Sequence, residues 1–394
     1  MSFSFPISAR FGAEPADPVG DLFSVLGRGD IISFAGGIPD GALFELDDIR
    51  ASFDHVLTHQ ARRALQYGAT QGEPEMREAA AGQVSRYLPT RPEQIQVTAG
   101  SQEGIYLAAQ AMLTPGDVVL VEEPTYLAAV QAFMLNGARM VGVPTDDDGV
   151  RPEALEDAIA RHSPKFLYLI PNFQNPSGRS MPLARREAVA EILLRTGVVL
   201  VEDDPYGALR FEGEPAPPMV SLAGMARQTI LLNSMSKVMS PGLRVGWIRA
   251  EGPILRVLGI AKSAVTLQSS ALNQLAVAYY LGHFDLDDHV RRVAESYRVR
   301  RDAMYEGLVR MLPPTAHVTR PHGGMFCWVT LGDATDTAQL LGIAVEEGVA
   351  FVPGWSFYAN NPDRSTMRLS YVTNSPEMIH EGLARLALAM GREA

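Results

Sequence analysis

The sequence predicts an α/β protein: a large domain on a mixed, mostly parallel seven-stranded sheet flanked by helices, and a smaller α/β domain after it. Three observations carry that expectation. From about residue 94 to 250, short apolar and β-branched runs alternate with helical patterns, which is how strand–helix–strand units read. After Pro253 the pattern changes to long helices and then to a second, shorter strand and helix series. At 394 residues the chain is long enough for two domains. The expected division is an N-terminal segment, 1–44, joining the small domain, a large domain over 45–285, and a small C-terminal domain over 286–394.

The predicted strands of the large domain are 94–98, 118–122, 139–143, 166–171, 198–203, 230–233 and 244–249. Each is a short apolar run bounded by turn residues. Between them lie helical patterns such as IYLAAQAM, 152–161 and 183–195. Beyond Pro253 come LNQLAVAYYL and the charged amphipathic run DDHVRRVAESYRVRRDAMYEGLVRML, read as a solvated helix face. Strands near 325–331, 350–352 and 368–372, with helices at 337–347 and 377–390, complete the small domain.

Composition excludes several classes. A net charge of −11 disfavours nucleic acid or an anionic membrane as the main partner, because neutralising phosphates takes clustered Lys and Arg. The single cysteine, Cys327, permits no intrachain disulfide framework and no multi-cysteine zinc site, and its setting in GGMFCWVTL reads as a buried strand. The first residues show no secretory pattern, and no 18-residue apolar run occurs, so a cytoplasmic setting is expected.

The chemistry gathers at predicted strand ends. Only three of the 34 basic side chains are lysines, and one of them, Lys237, stands in NSMSKVMSPGLRVGW among Ser234, Ser236 and Ser240. An amine that attacks a carbonyl must be partly deprotonated, which burial or a neighbouring cation such as Arg244 achieves. The same hydroxyls and guanidinium suit a phosphate. In VVLVEDDPYGAL an apolar strand ends in Glu202, Asp203 and Asp204, with Tyr206 close behind, at the edge where α/β sheets bind ligands. A carboxylate there suits a protonated ring nitrogen. In VTAGSQEG a strand runs through Gly100, Ser101 and Gln102 into a helix whose free N–H groups face an anion. In FQNPSG, Asn175 precedes a Pro–Gly turn.

Together SMSKVMSPGLRVGW, NFQNPSG, EDDPY, TAGSQEG, QYGATQGEPEMR and MRLSY, which occur along the chain in the family's order and at its spacing, resemble the fold-type I, pyridoxal 5′-phosphate-dependent aminotransferases of class I/II. AGGIPD and YGATQG look most like the branch with 2-aminoadipate and broad-specificity enzymes. The resemblance covers almost the whole chain and implies the aspartate-aminotransferase-like fold. It implies Lys237 as the Schiff-base lysine, Asp203 as partner of the pyridinium nitrogen, and Asn175 and Tyr206 on the ring's phenolic oxygen. Ser101, Gln102, Ser234, Ser236 and Arg244 would surround the phosphate, and Tyr126 would stack on the ring. Arg368 would clamp the substrate α-carboxylate beside Gly37, with Asn175 also contributing. Tyr67 would reach the phosphate of a neighbouring subunit, which implies a homodimer. The implied reaction moves an amino group from an L-amino acid to a 2-oxo acid by a ping-pong route, the cofactor alternating with pyridoxamine 5′-phosphate.

One segment departs from the pattern. The branch that binds acidic side chains carries an arginine in a segment resembling IRELL, and here VGDLF places Gly20 there, with Arg28 nearby. The expected donor is therefore neutral, aromatic or specialised, not glutamate or aminoadipate. The same lysine, aspartate and phosphate cup also serves C–S lyases, decarboxylases and amine oxidases. Some transcription regulators carry this domain behind a DNA-binding module, but fewer than 40 residues precede AGG and they hold no basic amphipathic helix.

Overall fold

The protein is described by a computed structural model, over residues 7–11, 31–332 and 335–393. All seven predicted strands lie in one sheet. In chain order its members are β2 (Ile95–Thr98), β3 (Val118–Glu123), β4 (Arg139–Asp146), β5 (Gly149–Val150), β6 (Phe166–Leu169), β7 (Val199–Asp203), β8 (Thr229–Ser234) and β9 (Gly246–Arg249); β1 (Ile32–Ser33) lies apart. The sheet order is β2-β9-β8-β7-β6-β3-β4-β5. The eighth strand, β5, is a two-residue antiparallel edge addition that turns β4 back on itself. Strands β4, β3, β6, β7 and β8 run parallel, and β9 is antiparallel to both β8 and β2.

That topology places the site. Because β2, β3, β6, β7 and β8 share one direction, their C-terminal ends share one edge, and β9 begins there, with Gly246 opposite both Ser234 and Thr98. Five loops of different sequence position therefore converge on one side of the sheet. The central strands read as continuous apolar runs because helices cover both faces, and β2, β6 and β8 are buried almost throughout.

Arg244 was expected to open the last strand. It instead adopts a left-handed conformation, φ 49°, after the turn Pro241–Leu243, and β9 starts two residues later. A left-handed non-glycine residue is uncommon and draws attention to what holds it.

Four further strands, β10 (His317–Val318), β11 (Phe326–Thr330), β13 (Val352–Pro353) and β14 (Thr366–Ser370), form an antiparallel sheet in the order β10-β11-β14-β13. The predicted strand at 350–352 is split in two. Its first half, β12 (Val349–Ala350), pairs in parallel with β1 (Ile32–Ser33), and its second half pairs with β14. Phe34 then accepts a hydrogen bond from Ser370 N, so residues 31–36 lie against the later sheet. The charged run forms one helix, Leu286–Met311, with a buried stripe including Val290, Tyr297 and Met304. Cys327 is buried in β11, and burial pushes its thiol up to about 12, as suits a packing residue. Among the described residues, no helix is long and apolar enough to cross a membrane.

Candidate active site

The converging loops line a cleft of about 370 Å³. Its walls include Gly37, Ser101, Gln102, Tyr126, Asn175, Asp203, Tyr206, Ser234, Ser236, Lys237, Arg244 and Arg368. Every predicted site residue except Tyr67 is thus brought together from eight separate stretches of chain. Tyr67 is 78% exposed and is not part of this wall. Gly20 and Arg28 lie outside the described residues.

Strand alternation sorts the three adjacent acids. Glu202 turns away from the cleft and accepts from the backbone N–H of Met219 and Val220, both at 2.8 Å. Asp204 accepts from Asn172 Nδ2 and from Gly207 N, each at 3.0 Å, and so serves the turn after the strand. Asp203 alone faces the cleft. Its Oδ2 accepts from the Tyr168 hydroxyl at 2.8 Å, while its Oδ1 is buried with no partner. Burial lifts its pKa to about 7, opposed by the Tyr168 hydrogen bond.

Lys237 sits in the turn after β8. Its Nζ donates to Gly37 O at 2.7 Å, and the side chain is partly buried in the cleft wall. Burial, aided by the Arg368 and Arg244 charges, lowers its amine to about 8. A minor but usable fraction, about a fifth, is therefore neutral near physiological pH, as a nucleophilic amine requires.

The hydroxyl group beside it is ordered internally. Ser234 Oγ donates to Ser236 Oγ at 2.9 Å and accepts from Ser236 N at 3.1 Å, and Arg244 Nη1 donates to Ser236 Oγ at 3.4 Å. Arg244 Nη2 also donates to Ala99 O, just ahead of the helix Ser101–Met112. Gly100 has φ 95°, and a Cβ there would lie 3.0 Å from Arg244 Nη2. The backbone at this helix start is thus shaped by glycine so that the guanidinium and free N–H groups can share one anion. Gln102 Nε2 donates to Ala128 O at 3.1 Å and ties this helix to the first turn of the helix Leu127–Leu135, which Tyr126 caps.

Arg368 is at the centre of β14, and 2% of it is exposed. Its Nη1 donates to Asn175 Oδ1 and its Nη2 to Ala35 O, both at 2.8 Å, and Nε has no partner. The rings of Phe326 and Phe357 lie 4.3 and 5.0 Å from the guanidinium carbon. Burial lowers this arginine to about 10. Burial likewise raises the phenols of Tyr126, to about 12, and Tyr206.

Three contributors escape sequence reading. Tyr168 is signalled only as a hydroxyl inside the apolar run FLYLI, whereas Phe326 and Ala35, as holders of Arg368, give no signal at all.

These residues fit pyridoxal phosphate. A buried carboxylate oxygen without a donor suits a protonated ring nitrogen, a glycine-shaped helix start with Arg244 and two serines suits a phosphate, and a buried neutral-tending amine suits the aldehyde. The fold and this cleft define a pyridoxal-phosphate enzyme. Residues 29–386 match the family described as aminotransferase class I and II. An aromatic-amino-acid aminotransferase of Thermococcus litoralis is 38% identical over 96% of this chain and 92% of its own length. A 2-aminoadipate transaminase of Thermus thermophilus is 38% identical over 99% and 98%. The structure of a Pyrococcus horikoshii kynurenine aminotransferase, in complex with PMP, superposes with a TM-score of 0.93 at 36% identity, covering 98% of this chain and 97% of that one. The chain belongs to the class I and II aminotransferases, and it is a pyridoxal-phosphate-dependent transaminase with the aspartate-aminotransferase-like fold. Transamination is favoured over the lyase, decarboxylase and oxidase chemistries that share the scaffold.

Proposed function

We propose that this transaminase is a cytoplasmic homodimer that takes neutral or aromatic amino donors in a ping-pong cycle, with the cleft residues in the roles the resemblance assigns. Pyridoxal phosphate, when bound, supplies an aldehyde for the amine and an electron-poor ring for the electrons of the broken Cα–H bond. Asp203 keeps the ring nitrogen protonated through its free Oδ1, while Tyr168 holds the other oxygen. Ser101, Gln102, Ser234, Ser236 and Arg244 seat the phosphate. Asn175 and Tyr206 face the phenolic oxygen, and Tyr126 covers the ring. Arg368, gripped by Asn175 and Ala35 and flanked by two rings, holds the donor's α-carboxylate. Lys237, once displaced by the donor amine, removes the Cα proton as general base and returns it as general acid.

The donor class rests on the charge inventory of the cleft. Its lining cations among the described residues are Lys237, Arg244 and Arg368, each already committed. The remaining wall offers Ile38, Tyr126, Leu127 and Ala128, which suit an apolar side chain and leave a distal carboxylate unpaired. The T. litoralis and P. horikoshii relatives, by their names, act on aromatic amino acids and kynurenine. A screen following cofactor amination with single amino acids tests this, and phenylalanine, tyrosine or kynurenine should react fastest. Glutamate or 2-aminoadipate clearly ahead of them would overturn it.

The dimer is supported by exposed apolar side chains around Tyr67. Leu65, Ile260, Val265 and Leu267 all stand open, and Gly68 N donates to Gln268 Oε1, which brings the Tyr67 segment beside Leu267. A partner covering these residues would receive Tyr67. Sedimentation velocity at micromolar concentration should give twice the chain mass.

A further inference from the structure

A second lysine has no part in the roles above. Lys262, on the helix Ile254–Val265, has none of its surface exposed. Its Nζ donates to Val97 O and, at 2.8 Å, to Ser269 Oγ. Composition alone does not single it out, since Lys165 is a half-exposed partner of Asp117. Geometry does, because its two acceptors belong to two different parts of the machinery.

Val97 lies in β2, which runs straight into Ala99, Gly100 and Ser101. Ser269 lies in the loop between two helices, 266–270, where Leu267 is held left-handed at φ 62°. A leucine in that region is strained and persists only where its surroundings fix it. Several side-chain bonds of this loop and of β2 lead to the Tyr67 segment or the phosphate seat. Gln268 Oε1 accepts from Gly68 N, and Gln274 accepts from Glu73 N at 2.8 Å while donating to Ser269 O at 3.0 Å. Gln96 donates to Thr70 O at 2.8 Å, and Val97 N donates to Gln71 O at 2.9 Å. Glu103 closes the ring, accepting from Ala99 N and, at 2.7 Å, from the Thr266 hydroxyl. A buried amine with two acceptors and no carboxylate in contact among the described residues has its donors matched when neutral, and burial does lower it to about 8.

We propose that Lys262 is a positioning residue for two active sites at once, clamping the phosphate seat of its own subunit to the loop that presents Tyr67 to the other subunit. The inference rests on the dimer reading above. Its amine bridges strand β2 and loop 266–270, so loosening it would disturb the seat in cis and the tyrosine in trans.

Hybrid dimers separate the two effects, with Lys237→Ala used to silence one site. In the first hybrid, Lys262→Met is on the chain that keeps Lys237, so the working site has a loosened seat and an intact Tyr67 from its neighbour. In the second, Lys262→Met and Lys237→Ala share one chain, so the working site has an intact seat and receives Tyr67 from the altered chain. Pyridoxal-phosphate affinity and kcat/KM are read at a temperature well below unfolding. Both hybrids should lose about tenfold or more, since displacement by an ångström at a reacting group costs up to about a hundredfold. Adding Tyr67→Phe to the altered chain of the second hybrid should cost little more, because the two changes act through one contact. Loss confined to the first hybrid, or a full multiplicative loss on adding Tyr67→Phe, overturns the two-site role and leaves a local brace. A chain that sediments as a monomer overturns the dimer reading itself. If Lys262→Met does not fold, Ser269→Ala removes one of the two acceptors and carries the same comparison.

Discussion

Replacing Asp203 with asparagine should move the stability of the cofactor-free and loaded enzymes in opposite directions. In the cofactor-free protein the carboxylate is enclosed, one oxygen has no donor, and its pKa stands near 7 against an ordinary 3.8. Folding therefore keeps the proton on Asp203 through a window, about pH 4 to 7, in which the unfolded chain has already released it. Stability contributed by this group is lost as pH rises through that window, and the full penalty is present at pH 8. About three pKa units correspond to ~4 kcal/mol as an upper bound, at ~1.36 kcal/mol per unit. Asparagine carries no such proton and can still accept from Tyr168. Unfolding entropy of ~2.1 cal/mol/K per residue gives ~0.8 kcal/mol/K for a chain of this length, so the cofactor-free variant should melt up to about 5 °C higher at pH 8. The gap should shrink to roughly two-fifths at pH 5, where the unfolded carboxylate has lost its proton across only about 1.2 of the roughly three pKa units. In the loaded enzyme the change removes one member of a buried charge pair, a loss of ~3–5 kcal/mol, and donor turnover should fall by roughly 10² to 10³. Scanning fluorimetry of both proteins without and with cofactor, at pH 5 and 8, together with single-turnover amination, makes the comparison. A cofactor-free variant that melts no higher than the parent at pH 8, or a gap unchanged between the two pH values, refutes the reasoning.

Other outcomes follow from the same geometry. Lys237→Ala, and equally Lys237→Arg, should abolish turnover and the colour of the bound cofactor while circular dichroism stays unchanged, since neither side chain offers an amine. The rate at which cofactor-free enzyme captures pyridoxal phosphate should rise with pH and level off above about 8, where the Lys237 amine is neutral. Arg368→Met removes a neighbouring cation and should move that midpoint upward, and a downward move would contradict the assignment. The same substitution should raise the donor KM by roughly a hundredfold, in line with ~1.5–3 kcal/mol for hydrogen bonds to a charged group. Gly100→Ala, at φ 95° and pressed against Arg244, should weaken cofactor retention about tenfold in a dialysis assay, the strain being ~1–3 kcal/mol.

The fold was legible where the hydrophobic period was strong. Strands such as Val118–Glu123 and Thr229–Ser234 are apolar on both faces, because both faces are covered, and their runs stand out from the polar turns around them. Local deviations were not legible. Arg244 looks like the start of a strand, but it caps the turn Pro241–Leu243 in a left-handed conformation, and its side chain bonds to Ser236 Oγ and to Ala99 O, the latter far away in the sequence. Site residues with charge or a turn signal, Lys237, Asp203 and Asn175, could be singled out. The groups that aim them could not. Tyr168 is two residues from the end of its strand's apolar run, and its meaning depends on β6 pairing with β7 in a register that sets it beside Asp203. Glu202, Asp203 and Asp204 are equivalent in sequence, and it is the two-residue alternation of β7 that gives one to the cleft and two to the scaffold.

Departures from local consistency occur in several places, and a group of them gathers around the cleft. Gly100 at φ 95°, Arg244 at 49° and Phe173 at 48°, just ahead of Asn175, surround it. Asp203 Oδ1 and Arg368 Nε are buried in it without partners. Burial pushes Asp203 up and both Lys237 and Arg368 down, so each is driven toward its neutral form. A core built for stability alone would not keep such groups, because a hydrophobic set of equal volume would fold more firmly. In the roles proposed above, their charged forms are restored by a ligand with the opposite pattern: a ring cation for Asp203, a phosphate for Arg244 and its serines, and a carboxylate for Arg368. The chain as a whole carries a net charge of −11, yet three cations meet one lining carboxylate here among the described residues, and that local inversion favours anionic substrates at the one place where they react. The strain and the unpaired atoms thus belong to the loaded state, in which cofactor and donor complete a structure the polypeptide leaves electrically unfinished.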